Sequence, residues 1–140
     1  ISPEAVAQAA ENARLNGVRA DFKMRDILRP EDWEWPVFDV IVSNPPYVRE
    51  SEKAGMAPRV LDYEPGRALF VPDDDPLLFY RAIADFGRSH LVPGGFLFFE
   101  INEALGAEVL SLLEGKGYAG LELRNDVFDK PRFVRGRLSV

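Results

Sequence analysis

Apolar positions along this chain recur first at helical and then at strand spacing, and the alternation predicts helices interleaved with buried strands. From Pro3 to Asn16, Val6, Ala9, Ala10 and Ala13 share one helical face, with Ser2 as N-cap and Gly17 as the stop. Arg19 to Met24 reads as a short strand, and residues 29–36 as a loop in which Trp33 and Trp35 are packing anchors. Val37 to Ser43 is a Val/Ile-rich run without alternation, the pattern of a strand buried on both faces of a parallel sheet. Val48 to Pro72 is polar and interrupted by Pro58, Pro65, Gly66 and Pro72, so it reads as a long loop of the functional or mobile kind. Asp73-Asp74-Asp75-Pro76 opens a helix to about Leu91 with Phe79, Ile83 and Phe86 turned inwards. Its carboxylates suit a helix N-terminus better than a metal. Phe96 to Ile101 is a second buried strand, Ala104 to Lys116 a helix closed by Gly117, and Tyr118 to Asn125 and Arg132 to Val140 a final pair of strands.

Helices alternating with buried strands predict an α/β fold with a doubly wound sheet, and two successive strands at the end predict an antiparallel hairpin at one edge. Composition narrows the chemistry. The 140 residues are 46% hydrophobic and 29% charged, enough for one domain with a real core, and no stretch is long enough to span a membrane. The absence of cysteine excludes disulfides and thiolate metal sites, and the single histidine, His90, excludes His clusters. His90 falls near a predicted helix C-terminus, where a cation is a structural choice. A net charge of −6 disfavours nucleic acid as the main partner. Arg132, Arg135 and Arg137 form the one basic cluster, which reads as a solvated sheet edge.

The candidate chemistry lies in Asn44-Pro45-Pro46-Tyr47, directly after the Val37 to Ser43 strand. Open parallel sheets bind ligands beyond the carboxyl ends of their strands, which is where this tetrapeptide falls. An Asn side-chain oxygen and a proline carbonyl with no competing N–H can each accept one hydrogen of a substrate NH2 group. The nitrogen is then held with its lone pair directed out of plane. Pro46 stiffens the loop, and the Tyr47 ring can lie along a flat amide or base. The pattern points to methyl transfer onto a planar nitrogen; its structural alternative is an ordinary turn with a packed tyrosine.

Asp26-Ile27, Asn44-Pro45-Pro46-Tyr47-Val48, Tyr63-Glu64-Pro65 with Ala68-Leu69, Phe79-Tyr80-Arg81 and Pro93-Gly94-Gly95-Phe96 together resemble the HemK/PrmC family of glutamine N5-methyltransferases. The resemblance implies a class I S-adenosylmethionine-dependent, Rossmann-like fold. It also implies methylation, from S-adenosylmethionine, of the glutamine amide in the Gly-Gly-Gln motif of peptide chain release factors, in the cytoplasm. Asn44, Pro45 and Tyr47 would be catalytic, Asn44 to Tyr47 would bind the glutamine, and Asp26, Ile27 and Asn44 would meet the cofactor. Leu28 stands where the family often has Phe, and Asp73-Asp74-Asp75 where many members carry glycines. The family's glycine-rich cofactor loop and its ribose-binding acid have no counterpart in residues 1–140. The expectation is therefore a catalytic domain truncated at its N-terminus, without its first two strands and inactive alone. In the family's strand order those strands lie beside the Val37 to Ser43 strand. Its bare edge is expected to self-associate or to be capped by collapse of the 19–24 strand. Two rival functions remain: N6-methylation of adenine in DNA or RNA, and a non-catalytic module that grips an exposed amide.

Overall fold

Helix α1 (Pro3–Leu15) begins where the Ser2 hydroxyl accepts the Ala5 amide at 3.1 Å, and Pro3 occupies its first turn without loss of a needed donor. Gly17, at φ 65°, ends it in a conformation a side chain would resist. Val6, Ala9 and Ala13 are half-buried and Ala10 is exposed, so the apolar stripe is narrower than the sequence suggests.

The computed structural model describes residues 2–55 and 68–139, in two units, Ile1–Glu34 and Trp35–Val140. The expected Tyr63-Glu64-Pro65 motif, with Pro58 and Gly66, lies outside the described residues. In the first unit the expected strand from Arg19 to Met24 does not form; residues 18–26 are neither helix nor strand. An extended segment becomes a strand only when a neighbour takes up its backbone groups, and none of the described strands pairs with this one. Trp33 lies under the Arg25 guanidinium, 4.3 Å from the ring centre.

The second unit runs through β1 (Phe38–Ser43), β2 (Val48–Arg49), β3 (Phe70–Val71), α2 (Leu78–His90), β4 (Leu91–Glu100), α3 (Gly106–Gly115), β5 (Tyr118–Asn125) and β6 (Pro131–Leu138), with short 3-10 segments at Glu50–Gly55 and Glu103–Leu105. Its main sheet has the order β1-β4-β6-β5: β1 lies parallel to β4, and β6 is antiparallel to both β4 and β5. The C-terminal hairpin is as expected, but β6 lies inside the sheet. Its arginines therefore do not guard an edge. Arg132 pairs with Asp126 at 3.3 Å and Arg135 with Glu122 at 2.9 Å, while Arg137 donates to the Gly94 carbonyl at 3.0 Å. β2 and β3 form a separate parallel pair.

Helices α2 and α3 cover one face of the main sheet. Leu97 and Phe99 of β4, and Ile101 just after it, are buried there with Tyr80 and Ile83 of α2, Val109 and Leu113 of α3, and Val134 of β6. Burying each large apolar side chain contributes about 1.5–3 kcal/mol before chain entropy is set against it. Trp35 meets Phe86 edge-on at 4.8 Å, which bears out its reading as an anchor. His90 stacks on Phe86 and its Nδ1 lies 3.0 Å from the Phe86 carbonyl, so it is structural. The acidic triplet does not cap α2, whose N-cap is Leu77 with no side-chain bond. Asp73 instead accepts the Ser51 amide and hydroxyl, and Asp75 pairs with Arg81 of α2. These contacts use the carboxylates to tie the loop to the helix.

On the opposite face, Val42, Phe98, Arg135 and Glu122 make one cross-strand row. β1 is not buried on both faces: Val42 is 75% exposed and Val40 48%. It pairs with β4 alone among the described strands, so one edge and one face lack the cover its sequence leads one to expect.

Candidate active site

Asn44 to Tyr47 leave the carboxyl end of β1, beside the end of β4, because Ser43 is the last β1 residue in register and pairs with Phe99. Proline cannot continue a ladder on its nitrogen side, so Pro45 and Pro46 turn the chain out of the sheet. Pro45 is buried, Pro46 and Tyr47 are half-buried, and Asn44 is exposed. The tetrapeptide thus presents its amide side chain while anchoring its prolines. A cavity of about 590 Å³ opens beside Asn44, walled by Val42, Phe98, Glu100, Phe133 and Arg135 among others. It lies on the uncovered face of the sheet.

Tyr47 is held more firmly than its sequence context suggests. Its hydroxyl donates to Glu100 Oε1 at 3.1 Å, and its carbonyl accepts from Asn102 Nδ2 at 3.4 Å. Glu100 ends β4, and its own carbonyl accepts from the buried Tyr80 hydroxyl at 3.4 Å. Arg132 stands alongside, donating to the Ile101 carbonyl at 3.4 Å and paired with Asp126. Burial, then the negative charge of Glu100, pushes the Tyr47 hydroxyl above the usual phenol pKa, and Arg132 opposes the shift. Tyr80 moves the same way, chiefly through burial.

The four tetrapeptide residues are therefore together, next to a cavity. Asp26 and Ile27 lie in the other unit, where Asp26 accepts the Leu28 amide at 2.9 Å in a tight turn and both residues are half-buried. Sequence reasoning missed Glu100, Asn102 and the tie through Arg132. The signal was a charged residue closing the apolar run Phe96 to Phe99 at the carboxyl end of a parallel strand, the position where such sheets place functional groups. Among the described residues no group of acidic or imidazole side chains could hold a metal ion.

No protein-family model matches the chain. It is 45% identical over 134 residues to the release factor glutamine methyltransferase of Bacteroides thetaiotaomicron, covering 96% of this chain and 48% of that protein. It is 44% identical over 135 residues to that of Flavobacterium psychrophilum (96% and 47%), and 43% over 141 residues to that of Cereibacter sphaeroides (99% and 49%). The chain spans about half the length of these relatives. Among solved structures, a methyltransferase from Pyrococcus furiosus superposes with a TM-score of 0.64 at 17% identity, over 100% of this chain and 60% of that one. A Thermus thermophilus 16S rRNA guanine N2 methyltransferase gives 0.61 at 20% identity, over 95% and 28%. These establish the class I methyltransferase fold. Over nearly all its residues the chain is thus 43–45% identical to three release factor glutamine methyltransferases, the proteins of the HemK/PrmC family that its motifs resemble.

Proposed function

We propose that the protein carrying this chain transfers a methyl group from S-adenosylmethionine to the side-chain amide nitrogen of the Gly-Gly-Gln glutamine in peptide chain release factors. The observation that carries this reading is Asn44-Pro45-Pro46-Tyr47 at the carboxyl end of a parallel strand, in a chain similar to this family. A release factor substrate would put the protein in the cytoplasm with the translation machinery. No helix among the described residues is long and apolar enough to cross a membrane.

S-adenosylmethionine, when bound, would supply an electrophilic methyl group. The residues present fit the rim of its adenine: the Asp26 carboxylate has lone pairs beyond the one that takes the Leu28 amide, and half-buried Ile27 offers an apolar border. The tetrapeptide's task is geometric. An amide nitrogen is a poor nucleophile because its lone pair is delocalised, a resonance reflected in the ~18–20 kcal/mol barrier to peptide rotation. Asn44 Oδ1 and the Pro45 carbonyl would each accept one amide hydrogen, fix the nitrogen's plane and favour it as it gains positive charge. Such positioning can contribute about 7–11 kcal/mol, so no prior proton abstraction is needed. The Tyr47 ring would lie against the flat amide.

The reading includes three narrower claims. This chain is the C-terminal part of the catalytic domain, it is inactive alone, and the free edge of β1 pairs with a second copy. The first two are supported by a match to only about half of each relative. The deciding experiment offers the full-length protein S-adenosylmethionine with a release factor, or with an adenine oligonucleotide. Methyl incorporation into glutamine alone is expected. Incorporation into adenine would overturn the assignment, and cofactor-independent amide binding without incorporation would favour a binding module.

A further inference from the structure

The Tyr47 hydroxyl reaches across 53 residues of sequence to the Glu100 carboxylate. We propose that Glu100 is a positioning residue for methyl transfer, setting through that hydroxyl the angle at which the Tyr47 ring faces the substrate amide; this deepens the function proposed above and rests on it. A tyrosine ring on a surface loop is free to turn about two side-chain bonds, and holding it needs a second point fixed to something rigid. Glu100 supplies that point. Its backbone closes an interior strand of the sheet, opposite Phe133 of β6, and its carbonyl is tied to Tyr80.

The same strand fixes Asn44. β1, which Asn44 continues, is paired with β4 up to Ser43 and Phe99, one residue short of Glu100. Both ends of the tetrapeptide are thus referenced to the end of β4, Asn44 through the ladder and Tyr47 through the carboxylate. Asn102 adds a grip on the Tyr47 carbonyl. A carboxylate acceptor makes a bond roughly twice as strong as a neutral one. Arg132, held by Asp126 and the Ile101 carbonyl, brings a positive charge to bear on both Glu100 and Tyr47. Displacement of a positioned group by about 1 Å can cost on the order of a hundredfold in rate, so a ring held this way has a kinetic consequence.

The test combines a kinetic cycle with a titration. In the full-length protein, glutamine methylation is measured for Tyr47→Phe, Glu100→Ala, their combination, and Glu100→Gln. Each of the first two should lower kcat roughly tenfold while KM for the cofactor stays the same, as expected for loss of one charged hydrogen bond. The combination should be no slower than the slower single variant, and Glu100→Gln, which keeps an acceptor oxygen, should recover most of the loss. The Tyr47 hydroxyl is titrated by NMR in the wild-type and Glu100→Gln proteins, without substrate. Its pKa should fall in Glu100→Gln, because the nearby negative charge has gone. A double variant that loses the product of the two single losses, about a hundredfold, would overturn the proposal, as would an unmoved Tyr47 titration. If the wild-type protein methylates no glutamine while the titration still moves, the proposed function fails and the positioning role with it. That pattern is distinct from failure of Glu100 alone, in which wild-type methylation persists.

Discussion

The Tyr118 hydroxyl of β5 lies against Gly87 of α2, in the space a Cβ on residue 87 would enter, and donates to the Ala84 carbonyl at 2.8 Å. Helix and sheet are locked here by an oxygen that only glycine admits. Gly87→Ala should displace the ring and break a buried hydrogen bond, with a loss of about 2–4 kcal/mol from the overpacking and the unsatisfied carbonyl together. Urea unfolding measures it. Unchanged stability would mean that α2 shifts away at no cost. Burial, with a further push from Asp85 against Arg88, raises the Tyr118 pKa to about 12. The folded pKa exceeds the ordinary value near 10, so this contribution is intact below about pH 10 and is lost as pH rises towards 12. Tyr118→Phe should remove that alkaline slope.

The turn joining β5 to β6 carries the opposite pH signature. Desolvation pushes the Asp126 carboxyl up, but bonds accepted from the Phe128 and Lys130 amides and from Arg132 outweigh it and hold the pKa below the usual carboxylate range. A lowered folded pKa stabilises above the unfolded value and is lost as pH falls through the folded one. Acid unfolding should therefore begin at this hairpin. Amide protection at residues 126–130 and 132, corrected for intrinsic exchange and followed from pH 5 downwards, should fall before that of β4, and Asp126→Asn should abolish the pH dependence of that difference.

Element existence was legible in the sequence wherever packing within the second unit decides it. Tyr118–Asn125 forms with the expected bounds, and α2 and β4 appear with their inward residues, although fully buried Tyr80 takes the place expected of Phe79, which is half-buried. Glycine punctuation also held: Gly17 and Gly117 adopt φ of 65° and 82°. What failed depended on neighbours. The 19–24 segment has strand propensity but no pairing partner, and the uncovered face of β1 cannot be inferred from a run of Val and Ile. The strand β4 starts at Leu91, five residues before Phe96, because Pro93-Gly94-Gly95 bulges within it. There a Cβ on Gly95 would sit 2.9 Å from the Asp39 carbonyl. The tetrapeptide was readable because its chemistry is local. Glu100 was not, since its partner is fixed by the register between strands.

Substitutions in the tetrapeptide should separate amide binding from ring placement. Asn44→Ala in the full-length protein should lower turnover roughly a hundredfold, the range for loss of one hydrogen bond that acts in the transition state. Tyr47→Ala should fall as far, whereas Tyr47→Phe, which keeps the ring and loses only the Glu100 bond, should fall roughly tenfold. Steady-state kinetics on a release factor substrate give all three. Equal losses for the two Tyr47 variants would mean that the ring face makes no substrate contact.

The outer edge of β1 should be a site of self-association for the 140-residue chain. Among the described strands Phe38 to Ser43 pairs only on its β4 side, and Asp39 is the only charge in the strand. Val37, Val40 and Val42 are 66%, 48% and 75% exposed. Natural edges are usually protected by lysine, proline or a covering element, and β1 has neither lysine nor proline. A second copy running antiparallel would satisfy both edges at once, the isologous arrangement commonest among dimers. The net charge of −6 opposes association, so added salt should strengthen it. Sedimentation should show a dimer that grows with concentration and with ionic strength. Val40→Lys, an exposed change on the face away from α2 and α3, should return the chain to monomer with its folded spectrum intact. A wild-type chain that stays monomeric at its highest soluble concentration in high salt would show that this edge is protected without a partner strand.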